Sequence, residues 1–165
     1  MCCHERFPLW KVLYNLTTFT GFVIAGSVTS ASMGPWGLGA FLGALVGGLT
    51  LALATMCSRC GYYGRRCGLG LGKLVPLVRR RKDPSEFAKT GVQKLSVLLF
   101  AATALVGLYG AGRMLLAARW AWPGLLAVSG LALALPHPWW MCRYCAQRER
   151  GLCPMSRLMG PARTG

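Results

Sequence analysis

Between Lys11 and Arg59 the chain runs for 47 residues without a charged side chain, and that feature alone excludes most soluble folds. A bilayer core takes about 20 helical residues to cross, so the stretch is long enough for two spans. Near its middle, Gly34-Pro35-Trp36-Gly37 breaks the run: proline cannot continue a helix and the glycines permit a reversal. The expected spans are 12–31 and 38–56. Two more charge-free runs follow, 18 residues after Lys94 and 23 after Arg119. They predict spans at 95–112 and 125–141, with a second reversal at Arg119-Trp120-Ala121-Trp122-Pro123-Gly124. Pro136 and Pro138 are expected to kink or end the last helix, and His137 between them reads as an interfacial side chain.

The cysteines show that the two hairpins are copies of one unit. Cys57, Cys60 and Cys67 are spaced C-x2-C-x6-C, and Cys142, Cys145 and Cys153 C-x2-C-x7-C, with matching residues 85, 85 and 86 positions apart. Each set directly follows a predicted hairpin. The fold expected is an all-α integral membrane protein of four transmembrane helices, arranged as two tandem hairpins with pseudo-two-fold symmetry about the membrane normal. Its parts are an N-terminal segment 1–11, hairpin 1 with its motif over 12–67, a basic linker 68–94, hairpin 2 with its motif over 95–153, and a tail 154–165. Residues 12–31 also fit a signal peptide cleaved at Ser30-Ala31-Ser32, but cleavage would strip the second span of its partner.

Charge sets the orientation. Nineteen Lys and Arg face four acids, a formal +15, which in a soluble protein would suggest nucleic acid. In a multi-span protein basic residues mark the cytoplasmic loops. Ten lie between Cys57 and Lys94 and none in the first reversal. Both termini and both cysteine motifs are therefore expected to be cytoplasmic, in a plasma or inner membrane. Arg79, Arg80, Arg81 and Lys82 form a run suited to anionic lipid headgroups, and nucleic acid is the weaker reading. Asp83-Pro84-Ser85-Glu86 reads as a helix start, with Asp as the cap and Pro at the first helical position. All six tryptophans fall at predicted span ends, as an aromatic belt requires. Gly39, Gly43 and Gly47 recur every fourth residue, a spacing that lets a second helix approach closely, in the same chain or in another copy.

Cytosolic thiols stay reduced, so a CxxC pair there reads as a metal ligand pair or a redox dithiol. The two-residue gap lets both thiolates turn toward one ion about 2.3 Å away, helped by Gly61 just after the pair. Two arrangements fit. In one, Cys57, Cys60, Cys142 and Cys145 share a zinc ion that clips the hairpins together, and Cys67 and Cys153 stay outside. In the other, each set of three, Cys67 and Cys153 included, holds an iron–sulfur cluster with a fourth ligand from elsewhere. Zinc is preferred. Cys2 and Cys3 fit acylation and receive no site role.

The layout resembles the membrane subunits of ferredoxin-type quinol dehydrogenases, which place cysteine motifs on the cytoplasmic side of four spans. Their usual motif is C-x3-C-P, and here only Cys153-Pro154 echoes it. The resemblance is one of arrangement and would imply electron transfer to a membrane or redox partner. The alternatives are a zinc-stabilised scaffold that binds lipid or protein, and a small transporter. Gly68-Leu69-Gly70-Leu71-Gly72-Lys73 falls short of a phosphate loop, because Cys67 and Leu74 stand where Gly and Ser or Thr are needed. With no intramembrane carboxylate and no Ser-His-Asp set, hydrolysis and proton pumping lose their usual residues.

Overall fold

Nothing inside the two apolar runs of the first half interrupts the backbone ladder, and both become helices. The computed structural model describes residues 7–86, 91–136 and 140. In it α1 spans Leu9–Ala31 and α2 Pro35–Thr55. Pro35 opens α2 instead of standing outside it, because its missing N–H falls where no intrahelical bond is made. The linker contributes the four-residue α3, Val75–Val78, and the second half contributes α4, Gly91–Leu116, and α5, Ala121–Ala134. No strand occurs among the described residues.

Three helices, α1, α2 and α4, are long and apolar enough to cross a membrane. The fourth differs from expectation. α5 is regular for 14 residues, a rise of about 21 Å against a hydrocarbon core of about 30 Å. It starts four residues earlier than the expected 125, because the second reversal closes at 117–120 and Trp122 and Pro123 belong to the first turn of the helix. Its regular run ends at Ala134; Leu135 makes a turn and Pro136 is again helical, an interruption next to the proline of the kind expected. His137 and Pro138 lie outside the described residues.

α1 lies against α2, α4 and α5, while α2 packs chiefly on α4 and α5 chiefly on α1. α1 and α4 run parallel and meet near their C-terminal ends, where Ser32 Oγ donates to the Gly110 carbonyl at 3.3 Å. The antiparallel pairs are tied by polar side chains. Tyr14 Oη donates to Ala132 O at 2.9 Å and Ser96 Oγ to Gly48 O at 3.1 Å. Thr103 and Ser129 bond back along their own helices, to Leu99 O at 2.8 Å and Leu125 O at 2.7 Å, which satisfies them in apolar surroundings, whereas the buried Ser30 hydroxyl finds no partner among the described residues.

The face α2 turns toward its neighbours is Gly37, Phe41, Leu45 and Gly48, not the Gly39-Gly43-Gly47 row. A methyl group on Gly39 or Gly43 would meet nothing within 4 Å, and one on Gly47 would reach only Leu99, at 3.4 Å. Phe41 sets the rotation. Its fully buried ring lies over Gly26 of α1, where any β-carbon would overlap it, and burying that ring outweighs bringing three glycines to a contact. Trp36, Trp120 and Trp122 are exposed at the turn end of the bundle, and Trp10 and Trp140 at the other, which is the two-belt distribution of interfacial tryptophans.

Candidate metal centre

Beyond Thr55 the chain tightens into a loop built almost wholly from backbone bonds. Cys57–Arg59 forms a 3-10 turn, closed by Cys60 N–H to Cys57 O at 3.3 Å, and Tyr63 N–H to Cys60 O at 3.1 Å starts the next turn. The glycines with positive φ in this loop are Gly64 and Gly70, both at φ 75°, not Gly61, which was expected to supply the turn after the pair. Gly64 N–H donates to Gly72 O at 2.9 Å. At Gly72 a side chain would overlap the carbonyls of Tyr62 and Arg65, so the loop closes backbone against backbone and only glycine fits.

The closure fixes the first cysteine set. Cys60 and Cys67 both pack against the buried pair Phe7 and Tyr62, whose ring centroids are 5.2 Å apart. Cys67 Sγ accepts the Gly72 N–H at 3.2 Å. Cys57 is half-buried at the end of α2, within electrostatic reach of both other sulfurs. All three are thiols rather than disulfides. Among the described residues no three His, Cys, Asp or Glu side chains converge into a set that could hold a metal ion. The first set presents the Cys57–Cys60 turn and a nearby third sulfur, Cys67, engaged by a loop amide.

The start of α1 holds this loop. Phe7 N–H donates to Arg66 O at 3.2 Å, and Asn15 Nδ2 to Gly68 O at 2.8 Å. Asn15 is 2% exposed and is the only amide side chain between residues 12 and 31, a signal the sequence reading passed over. The same turns of α1 also receive the end of the second half. Trp140 packs edge-on against Trp10 and Tyr14, with centroids 5.7 and 5.4 Å apart. Its carbonyl accepts a hydrogen bond from Lys11 Nζ at 3.1 Å. Cys142, Cys145 and Cys153 lie outside the described residues, as do Cys2 and Cys3, but Trp140 stands two positions before the second set begins.

The basic run is exposed throughout, Arg79 to Lys82, and is tied to the cysteine loop by its backbone. Tyr63 Oη donates to Arg79 O at 2.6 Å, and Lys82 N–H to Ser58 O at 2.9 Å. Asp83 Oδ1 accepts the Ser85 N–H at 2.9 Å, capping the short 3-10 turn Pro84–Glu86 in the way its sequence suggests. No protein-family model matches the chain, and neither the curated proteins nor the solved structures hold a match to it. The likeness to quinol dehydrogenase subunits accordingly stays one of layout.

Proposed function

We propose that the chain is a four-span membrane protein whose two hairpins are locked together on the cytoplasmic face by one shared zinc site, Cys57, Cys60, Cys142 and Cys145. In this reading it does accessory work at the membrane. The carrying observation is that the first turns of α1 hold both the loop of the first cysteine set, through Phe7 and Asn15, and Trp140, immediately before the second. A CxxC pair from each side completes a tetrahedron of thiolates, the usual closed geometry of structural zinc. Cys67 keeps its bond to the Gly72 amide and takes no part.

Helix pairing supports the two-fold element of the proposal. Exchanging α1 for α4 and α2 for α5 turns the α2–α4 contact into the α5–α1 contact, turns α1–α2 into α4–α5 and leaves α1–α4 on the axis, and the most extensive of these contacts are α2–α4 and α1–α5. In this proposal α5 is part of the fourth span, expected at 125–141, of which residues 137–139 and 141 lie outside the described residues. The basic-residue bias, ten between Cys57 and Lys94 against none in the first reversal, favours a cytoplasmic cysteine end in this proposal.

Metal analysis of anaerobically purified protein tests the site. Structural zinc is worth roughly 10–16 kcal/mol in small peptides at neutral pH, so Cys57→Ser, Cys60→Ser, Cys142→Ser or Cys145→Ser should each release the metal, while Cys67→Ser and Cys153→Ser should retain it. Loss of half the metal on Cys67→Ser would mean two independent clusters, and a coloured, iron-containing protein would replace the structural role by electron transfer.

A further inference from the structure

The linker does more than carry charge. α3 is anchored by Val75, which is 1% exposed, yet Leu74, Leu77 and Val78 beside it point outward at 53, 81 and 68% exposure. Three large apolar side chains on one short segment, followed at once by Arg79, Arg80, Arg81 and Lys82, make a two-part surface, apolar then cationic. A soluble surface has no use for that order.

Its level in the bundle identifies the counterpart. The loop that carries α3 meets α1 at Val12, which packs on the Phe7–Tyr62 cluster with Cys67, and at Asn15, which donates to Gly68 O. These contacts are at the level of Trp10 and Trp140, the tryptophans of the cysteine end. Lys82 N–H, bonded to Ser58 O at 2.9 Å, holds the far side of the basic run to the end of α2. The segment is thus held at the end of the bundle that carries Trp10 and Trp140, where interfacial tryptophans mark the boundary between hydrocarbon and headgroups. We infer that residues 74–82 lie in the surface of the leaflet the protein spans, with Leu74, Leu77 and Val78 seated at the acyl boundary and Arg79 to Lys82 on anionic headgroups. The inference rests on α1 and α2 crossing a membrane and not on zinc. Amphipathic elements of this composition bind through buried apolar area plus attraction to anionic lipid.

The test is amide hydrogen exchange over 74–82 in the full-length protein, reconstituted in nanodiscs of phosphatidylcholine with or without phosphatidylserine. Exchange should be slower where phosphatidylserine is present. In R80Q/R81Q that charge-dependent slowing should fall about fivefold per residue removed. Leu77→Ser, at a position too exposed to disturb the fold, should reduce the protection in both lipids. Equal exchange in the two discs, or slowing that survives R80Q/R81Q undiminished, overturns the inference. So does equal protection produced by single-stranded RNA added to the phosphatidylcholine discs, which would assign the surface to nucleic acid. Zinc measured on the same samples separates the two proposals. Zinc-bearing protein without a lipid effect sinks this one alone, and zinc-free protein with the effect sinks only the metal site.

Discussion

The two ends of the bundle hold together by different physics. At the turn end the helices meet backbone to backbone: Gly110 of α4 sits on the Thr29 carbonyl of α1, and Gly37 of α2 on the Ser30 carbonyl. The absence of side chains is what allows the fit. At the cysteine end polar side chains reach across between elements as well, Lys11 to Trp140 O, Tyr14 to Ala132 O and Asn15 to Gly68 O, beside backbone closures such as Gly64 N–H to Gly72 O. Shape complementarity tolerates no insertion, since a packed contact cannot give way continuously. A polar bridge can be removed singly, leaving one buried group unpaired. At the turn end an added side chain should therefore do the most harm, and at the cysteine end single polar bridges can be removed one at a time.

The sharpest way to break this comparison is to fill the turn end. Gly110→Leu should drive a side chain into the α1 backbone and lower stability by about 3 kcal/mol or more, read as loss of helical signal on thermal melting in detergent. Gly43→Leu is the control. Its position opens on empty space, so the monomer should change by no more than about 0.5 kcal/mol. Equal losses in the two variants would show that the helix rotation set by Phe41 is wrong, and a smaller particle for Gly43→Leu would place a second copy on that face. At the cysteine end, Asn15→Leu should cost about 1–3 kcal/mol, because it leaves the Gly68 carbonyl without its donor. That loss should be local. Proteolysis between residues 64 and 73 should accelerate while the melting of the bundle shifts less, and a uniform shift would mean that the loop and the helices unfold as one.

What the sequence disclosed divides along the same line. Charge gaps located the three long apolar helices and the Gly34-Pro35 pair the first reversal, because lipid disfavours charge and proline lacks the N–H a helix interior needs, and these are local rules. The tryptophans marked the two ends for the same reason. The second reversal closes at 117–120, ahead of the expected Pro123-Gly124. Helix rotation is not a local matter. The regular spacing of Gly39, Gly43 and Gly47 competed with one phenylalanine whose partner, Gly26, lies fifteen residues away in the sequence, and burial of the ring decided it. The length of α5 was half legible: Pro136 announced the interruption, while the early start at Ala121 depended on where the preceding turn closed. In the cysteine loop the spacing pointed to a tight turn but misplaced its glycine by three positions, at Gly61 instead of Gly64, since the closure is made with Gly72 across the loop. Asn15 and the apolar run Leu74-Val75-Pro76-Leu77-Val78 were visible as a lone amide in a span and a greasy patch in a basic linker. Both gained meaning only once the loop was seen folded against α1.

The smallest expected effect lies back at the turn end, where one side chain is present that the geometry does not want. α4 finishes in a turn with Arg119 N–H bonded to Met114 O at 2.9 Å and Ala118 N–H to Leu115 O at 3.0 Å. That pair of bonds is the Schellman pattern, whose C′ residue must be left-handed and is usually glycine. Here the residue is Ala118, at φ 56°, and it is the sole non-glycine residue with positive φ among those described. A β-carbon in this conformation crowds the following carbonyl oxygen at a cost of about 1–2 kcal/mol, part of which a glycine returns through the greater freedom of its unfolded chain. Ala118→Gly should therefore stabilise the protein by about 0.5–1 kcal/mol, with a higher melting temperature in detergent and unchanged proteolysis of the cysteine loop. A destabilised variant would mean that the turn owes its form to the methyl group of Ala118 and not to the hydrogen-bond pattern, and the turn end could then no longer be described as a place where the missing side chain is what stabilises the fold.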